Sequence, residues 1–288
     1  MTPKELVEGI DHLLSLPDVV IRVNKLIDSD NASIDDIGSV INHDPALSAQ
    51  LLKLVNSAFY GFPSQIDSVS KALNLIGTTQ LRSLILASSA ADVFGNISTD
   101  LVDMNSFWHR SVYCGLIAKK LARATQRTQG EAQFLTGLFH DVGRLILMTH
   151  MPTEYEELLQ ASKARDAKLA ALEQEWLGFS AAELGATLLE HWRLPPQLWM
   201  PVKFQHYPQA CGDYSHECQL LNLALQITNC TEPETKDDDA DQQLNQLNAI
   251  ALDLFELTPK DLSLITLDTH LEALDVLCII NPGAASIY

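Results

Sequence analysis

Apolar positions recur at helical spacing along most of the chain, and no run of alternating apolar and polar residues convincingly indicates a strand. Leu16-Pro17-Asp18 is typical of a helix start. Ser33 followed by Asp36 has the spacing of a capping box, and Asp44-Pro45 combines an N-cap residue with a proline at the first helical position. These signals predict an all-α protein that begins with several short helices.

Further helices are predicted in the first third of the chain at about 66–76 and 79–94, with Gly77 as the stop between them. Longer helices are predicted to follow at about 105–125, 129–149, 152–164, 168–175, 180–192 and 195–206. Helical spacing returns around Leu254 and again after Pro259, so the C-terminal part is also expected to be helical.

Two polar stretches suggest how the chain is divided. Residues 95–104 are rich in turn-forming residues, and the region from Cys230 to Gln246 is acidic with few apolar residues. We therefore expect three parts, which are an N-terminal helical subdomain at 1–97, a helical core at 98–215, and a helical extension at 216–288 with an acidic loop near 231–246.

The chain is strongly acidic, with a net charge of −18 over 288 residues. Surfaces that follow phosphate groups need clustered Lys and Arg, so we expect no nucleic-acid partner and no binding to an anionic membrane. No apolar run reaches the roughly 20 residues of a membrane span, and the N-terminus lacks the pattern of a signal peptide. The five cysteines are an odd number without the spacing of a disulfide framework, which favours a reducing, cytoplasmic location.

The candidate chemistry lies in Gly137-Leu138-Phe139-His140-Asp141-Val142-Gly143-Arg144, a His-Asp pair inside an otherwise apolar helical run. Adjacent imidazole and carboxylate groups are the core of a metal-dependent phosphohydrolase site, where the metal polarises a phosphoryl oxygen and activates a bound water. One metal ion needs several converging ligands, so this pair is insufficient by itself.

Several motifs occur in a fixed order around this segment, and together they are specific. In this order the chain resembles the HDOD family, the HD-related output domains of bacterial signalling proteins, over roughly residues 6–210. The motifs are Leu16-Pro17, Ile41-Asn42-His43-Asp44-Pro45-Ala46-Leu47, Leu54-Val55-Asn56-Ser57-Ala58-Phe59-Tyr60-Gly61, Ala72-Leu73-Asn74-Leu75-Ile76-Gly77, Phe107-Trp108 and the His140-Asp141 segment.

The resemblance implies an all-helical fold in which an N-terminal helical bundle docks on an HD-like helical core. It also implies a regulatory role, in second-messenger, motility or stress signalling, rather than a settled catalytic activity. The segment after about residue 215 is not explained by the family and is expected to be a helical extension.

The metal-ligand positions of the active HD enzymes are largely replaced. His140 and Asp141 are retained, but Arg110 in Trp108-His109-Arg110-Ser111 occupies the slot where relatives have a His. Further along the chain, Ala181 stands where relatives have a His, and Gln205-His206 stands where they have two histidines. The helix that supplies the last Asp ligand in active HD enzymes reads Asn222-Leu223-Ala224-Leu225 here. We therefore expect no bound metal, with His140, Asp141 and His206 as the remnant of the ligand set.

Arg110 suggests a specific replacement for the metal. A guanidinium that faces Asp141 supplies positive charge through a charge-assisted hydrogen bond, which can be bidentate. We therefore hypothesise that Arg110, His140 and Asp141 form a polar cluster at the former metal position, and that breaking it leaves a buried charge without its partner.

Other candidate residues have simpler interpretations. Asn56 is expected to tie neighbouring backbone segments together rather than to contact a ligand. His206, Cys211, His216 and Cys218 form a conceivable zinc set, but their spacing matches no standard zinc finger, so we do not favour this interpretation.

Three functions are compatible with these observations. We favour a non-catalytic signalling module that binds a signalling protein, or alternatively a small ligand, in a groove between two helical subdomains. The second is a phosphohydrolase that acts on a nucleotide or phosphoester through His140, Asp141 and His206, with Mn, Mg, Fe or Zn as its metal. The third is a nucleotide sensor that binds without hydrolysis. No cofactor is expected unless the second function holds, and whether the chain is an enzyme stays open.

Overall fold

The fold is all-α, as the sequence predicts. The computed structural model describes residues 1–29, 31–56, 60, 62–95, 101–126, 130–162, 166–231 and 240–280, and these residues form helices, turns and loops without a strand. The α-helices are α1 (Pro3–Leu14), α2 (Asp18–Ile27), α3 (Ile34–Asn42), α4 (Pro45–Val55), α5 (Val69–Gly95), α6 (Met104–Thr125), α7 (Gly130–Leu138), α8 (Val142–His150), α9 (Pro152–Ser162), α10 (Asp166–Leu177), α11 (Ala181–His191), α12 (Pro196–Lys203), α13 (Ser215–Thr231), α14 (Ala240–Phe255) and α15 (Pro259–Ile280).

The chain forms two compact units. The first unit contains Leu13–Ile97 together with Leu274–Tyr288, and its core comes from α2 to α5. The other contains Met1–His12 together with Ser98–Ala273, and it holds α6 to α13. The division of the sequence into three parts at 97 and 215 stays a prediction.

The first unit shows why its helices begin where the sequence predicts. The Ser33 hydroxyl accepts a hydrogen bond from the Asp36 N–H, and the Asp36 carboxylate accepts one from the Ser33 N–H, so the capping box is confirmed. The Asp44 carboxylate likewise accepts a hydrogen bond from the Leu47 N–H at the start of α4.

Gly77 separates two helical segments, but no loop lies between them. Its backbone has φ +76° and ψ 168°, inside the single span of α5. This left-handed φ favours glycine, so the chain kinks there and the helix resumes at once.

The single helix predicted at 129–149 is wrong. α7 ends at Leu138 and α8 begins at Val142, so the His-Asp pair lies in a turn rather than inside a helix. The His140 ring donates a hydrogen bond from Nδ1 to the Gly137 carbonyl at 2.7 Å, and Asp141 takes the N-cap position of α8 with φ −108° and ψ 6°. Non-helical backbone and a local side-chain bond therefore interrupt an apolar pattern that is continuous in sequence.

The bounds predicted for the acidic loop near 231–246 are wrong at both ends, where the described residues are helical. Residues 232–239 lie outside the described part of the chain, while α13 extends to Thr231 and α14 already begins at Ala240.

Candidate functional site

The turn that carries His140 and Asp141 is held in place by glycines on both sides. A Cβ atom on Gly137 of α7 would lie 2.6 Å from the Gly115 Cα of α6, and one on Gly143 of α8 would lie 1.9 Å from the Ala181 carbonyl oxygen of α11. Only glycine permits such close approach of two helix backbones. The two glycines therefore fix the positions of α7 and α8 on either side of the His-Asp turn.

His140 is buried, and both its ring and its backbone are tied to the protein. Because the Gly137 carbonyl can only accept, Nδ1 must carry the proton in the 2.7 Å hydrogen bond between them. The His140 carbonyl accepts a hydrogen bond from the Gln205 side chain at 3.0 Å, and the Gln205 carbonyl accepts one from the Asn222 side chain at 2.7 Å. The site thus connects to α13 through two amide side chains.

Asp141 is surrounded by three nitrogen-bearing side chains. Its Oδ2 atom lies 3.3 Å from Arg144 Nη1, 3.5 Å from His140 Nε2 and 3.8 Å from Arg110 Nε. The Asp141 side chain is 11% exposed, so these interactions are poorly screened by water. The structure therefore brings Arg110, His140 and Asp141 together, and it adds Arg144 as the nearest cation.

The electrostatics of the site keep Asp141 ionised. Burial by itself would raise the pKa of Asp141, but the charge of Arg144, followed by His140 and Arg110, holds that pKa well below its usual range. The carboxylate is thus a permanent anion at any physiological pH.

Arg110 is also bound on its other side. Its Nη2 atom donates a hydrogen bond to Asn229 Oδ1 at 2.6 Å, so the guanidinium bridges Asp141 and α13. The hydrogen bond to Asn229 orients the guanidinium, whereas the 3.8 Å contact with Asp141 is an ion pair and not the charge-assisted hydrogen bond that the sequence predicts.

A second carboxylate, Glu173 of α10, lies buried in the same unit. It accepts hydrogen bonds from the Tyr155 hydroxyl at 2.6 Å and from the Ala181 N–H at 2.7 Å. Burial raises the pKa of Glu173, and the charge of Arg144 opposes that rise. Burial also raises the pKa of Tyr155 well above its ordinary value. Arg144 therefore acts electrostatically on both buried carboxylates.

These residues do not fit a divalent metal ion. His140 Nδ1 is committed to the Gly137 carbonyl, so the pair offers at most Nε2 and the Asp141 carboxylate as ligands. Two guanidinium groups within 4 Å of that carboxylate would repel a further cation. In the described part of the chain, no group of three or more His, Cys, Asp and Glu side chains is arranged to hold a metal, and His206 completes no such group with His140 and Asp141.

The region around His206 contains a disulfide. Cys211 and Cys218 are joined across the start of α13, a pairing that the odd number of cysteines did not lead us to expect. Among the described residues, His206, Cys211, His216 and Cys218 do not form a group that is arranged to hold a metal ion.

Asn56 has the role that the sequence predicts. Its side chain donates to the Ile66 carbonyl at 2.7 Å and accepts from the Ile66 N–H at 2.7 Å, and it also donates to the Leu52 carbonyl at 2.8 Å. It therefore ties the end of α4 to the segment before α5. The neighbouring Ser57, Ala58, Phe59 and Gly61 of this motif lie outside the described residues.

Sequence reasoning missed Arg144, Glu173 and Tyr155. Arg144 stands three residues after Asp141 in the same motif. If a helix start had been predicted at Val142, this spacing would have indicated that the two side chains are neighbours. No local signal identifies Glu173, because its contacts with Tyr155 and Ala181 join three different helices.

Comparison with known proteins identifies the family. The model of the HDOD domain matches residues 13–208, which is more than half of the chain, so this chain belongs to the HDOD domain family. The chain is 28% identical over 232 residues to an uncharacterized protein of Treponema pallidum (strain Nichols). The match covers 80% of this chain and 45% of that relative, so the chain spans less than half of the relative's length.

Two solved structures share the fold over almost their whole length. A candidate phosphohydrolase from Shewanella amazonensis SB2B is 25% identical, with a TM-score of 0.76 and coverage of 96% of this chain and 97% of that one. An HDOD domain protein of unknown function from Geobacter sulfurreducens is 20% identical, with a TM-score of 0.73 and coverage of 99% and 97%. In the described ranges, no helix is both long enough and apolar enough to span a bilayer.

Proposed function

We propose that this chain is a non-catalytic HDOD module of bacterial signal transduction that acts by binding a signalling protein. The observation that carries the proposal is the engagement of Asp141 by two guanidinium groups, at 3.3 Å from Arg144 and 3.8 Å from Arg110. In an HD hydrolase this carboxylate would have to bind a metal ion. Here it neutralises side chains and stabilises the helical core.

The surroundings of the pair support a structural role for it. The ring and the carbonyl of His140 are both hydrogen-bonded to the protein, and the Arg110 guanidinium is anchored to Asn229 at 2.6 Å. Groups held in this way contribute a rigid core, and no mobile nucleophile or proton donor is presented among them. Membership of the HDOD family agrees with a regulatory role.

The net charge of −18 favours a protein partner over a nucleic acid. It also weighs against a nucleotide sensor, because the two arginines that could attract a phosphate already pair with Asp141.

One observation favours the alternative of a metal-dependent phosphohydrolase. The Shewanella amazonensis protein that shares 25% identity and nearly the whole fold bears a phosphohydrolase name. That alternative requires a metal to displace both arginines from Asp141, at a high electrostatic cost.

Turnover measurements separate the two proposals. The full chain and its Asp141→Asn variant are assayed with a generic phosphodiester and with nucleotides, in the presence of added manganese. The signalling proposal predicts that both proteins give the same background rate. Saturable, manganese-dependent hydrolysis that disappears in Asp141→Asn would establish the hydrolase instead. Injection of the same nucleotides without metal in a calorimeter tests the sensor, for which saturable binding without turnover is expected.

A further inference from the structure

The helix α15 has two apolar faces. Its inner face is buried and contains Leu262, Ile265, Ala273, Val276 and Leu277. Its outer face carries a second stripe, which we name the leucine seam, and whose side chains are 42–71% exposed: Leu264, Leu267, Leu271 and Leu274. An ordinary amphipathic helix has polar residues on its outer face, so a continuous row of leucines there indicates a contact surface.

The spacing of the leucine seam fits another helix. Successive members are three, four and three residues apart, which are the alternating a and d positions of a heptad repeat. Cys278, which is exposed, follows Leu274 by four residues and takes the next a position. The row runs for about 20 Å along one continuous helix.

The residues beside the leucine seam fit a second copy of α15 in parallel orientation. The flanking e positions carry Asp268 and Asp275, and the g positions carry Ser263 and His270. In a parallel pair of identical helices, each g residue faces the e residue five positions further along the other helix. Ser263 then faces the second copy's Asp268, and His270 faces the second copy's Asp275. An antiparallel pair would instead place the aspartates of the two copies beside each other.

The helix is already ordered for such a contact. Glu272 forms an ion pair with Lys120 of α6 at 2.7 Å, and His270 Nε2 lies 3.1 Å from the Tyr113 hydroxyl. When His270 Nε2 accepts the hydrogen bond from the Tyr113 hydroxyl, Nδ1 carries the ring proton and can donate a hydrogen bond to a carboxylate on the second copy. Because α15 is already folded in the single chain, association along the seam does not have to offset the conformational entropy that an isolated peptide would lose on folding.

From the spacing, exposure and charge pattern, we infer that this chain forms a parallel homodimer in which two copies of α15 meet in register along the leucine seam. The dimer is separate from the chemistry at Asp141 and would form equally in a signalling module or a hydrolase.

Sedimentation equilibrium of the full chain without added oxidant or reductant, together with two variants, tests the dimer. We expect a reversible equilibrium between monomer and dimer that is lost in Leu271→Glu, since Leu271 is the most exposed leucine of the seam. Leu75→Glu is the matched control, because Leu75 is a half-exposed leucine of α5 outside the seam, and this variant is expected to keep the dimer. Circular dichroism verifies folding, and Leu267→Glu replaces Leu271→Glu if the latter unfolds.

Oxidative cross-linking tests the parallel register. Two Cys278 thiols at a positions of a parallel pair face each other, so mild oxidation should give a covalent dimer on a non-reducing gel, and Cys278→Ser should abolish it. A monomer at every concentration would overturn the inference and leave the seam to a helix of another protein. A dimer that survives Leu271→Glu, or one that does not cross-link through Cys278, would also overturn it.

Discussion

Arg144 is the nearest cation to Asp141, with its Nη1 atom 3.3 Å from the carboxylate oxygen. Arg110 approaches the same oxygen to 3.8 Å from another helix. One buried carboxylate thus forms ion pairs with two guanidinium groups, Arg144 of its own motif and Arg110 of α6. The positive charge that a metal ion would bring is already present in side chains.

The two arginines should be energetically coupled. If either one is replaced by alanine, the other still neutralises Asp141, so each single variant should lose about 1–2 kcal/mol of unfolding free energy. The double variant leaves the buried carboxylate without a guanidinium and should lose more than the sum of the two single losses. Urea denaturation of the four proteins measures this coupling. Strict additivity would show that the arginines do not share Asp141 as a partner.

The stability conferred by Asp141 should depend on pH in the acid range. Its folded pKa is depressed, so its contribution is fully present above the unfolded value of about 3.9 and is lost as the pH falls towards the folded pKa. Asp141→Asn should therefore be less stable than the parent by about 3 kcal/mol near pH 7, and the gap should narrow below about pH 4. Denaturant titrations between neutral and acid pH give the gap directly. A difference that is independent of pH would mean that the pKa of Asp141 is the same in the folded and the unfolded chain, and a difference that shrinks as the pH rises towards 7 would mean that the carboxyl group is protonated in the folded core.

The glycine beside the His-Asp pair should not tolerate a methyl group. In Gly143→Ala the new Cβ would overlap the Ala181 carbonyl oxygen, which belongs to the backbone of α11 and cannot rotate away, so α8 and α11 must separate. We expect a loss of about 3 kcal/mol, measured by thermal or urea unfolding.

Gly9→Ala provides the matched control for this substitution. Gly9 is exposed within α1 and has open space around its Cα, so alanine there should stabilise the protein by about 0.5–1 kcal/mol through helix propensity. Equal effects of the two substitutions would disprove the proposed close helix contact.

Asn56 should be necessary for the stability of the first unit. Asn56→Ala removes both hydrogen bonds with the Ile66 backbone and leaves that backbone unpaired, so a loss of about 2 kcal/mol is expected. Asn74→Ala serves as the comparison, because Asn74 is likewise an exposed asparagine but donates only to the Ser70 carbonyl of its own helix. Asn74→Ala should lower the free energy of unfolding by less than about 0.5 kcal/mol. A loss as large as that in Asn56→Ala would contradict the role given to the Asn56 side chain.

Local signals predicted the helical framework well, because helix caps depend on residues close together in sequence. The pairing of Ser33 with Asp36 and the capping role of Asp44 needed only a spacing of three residues. The role of Asn56 was also predictable in kind, although its partner Ile66 lies ten residues away.

The break at the His-Asp pair was not predictable from periodicity. Apolar residues continue through Leu138, Phe139 and Val142 because the turn and both helix ends are buried, so the pattern does not reveal a turn. What ends α7 is the bond from the His140 ring to the Gly137 carbonyl, together with the close packing that both flanking glycines allow. The contacts of Glu173 likewise depend on tertiary packing among α9, α10 and α11, to which no local pattern corresponds.

The central claim is that arginine side chains take the place of a metal ion at Asp141, and calorimetric titration of Mn²⁺ tests it most directly. The ion is injected into the full chain and into Asp141→Asn under identical conditions. The account predicts that neither protein binds manganese saturably and that the two titrations coincide. One-to-one binding by the parent that is lost in Asp141→Asn would contradict it.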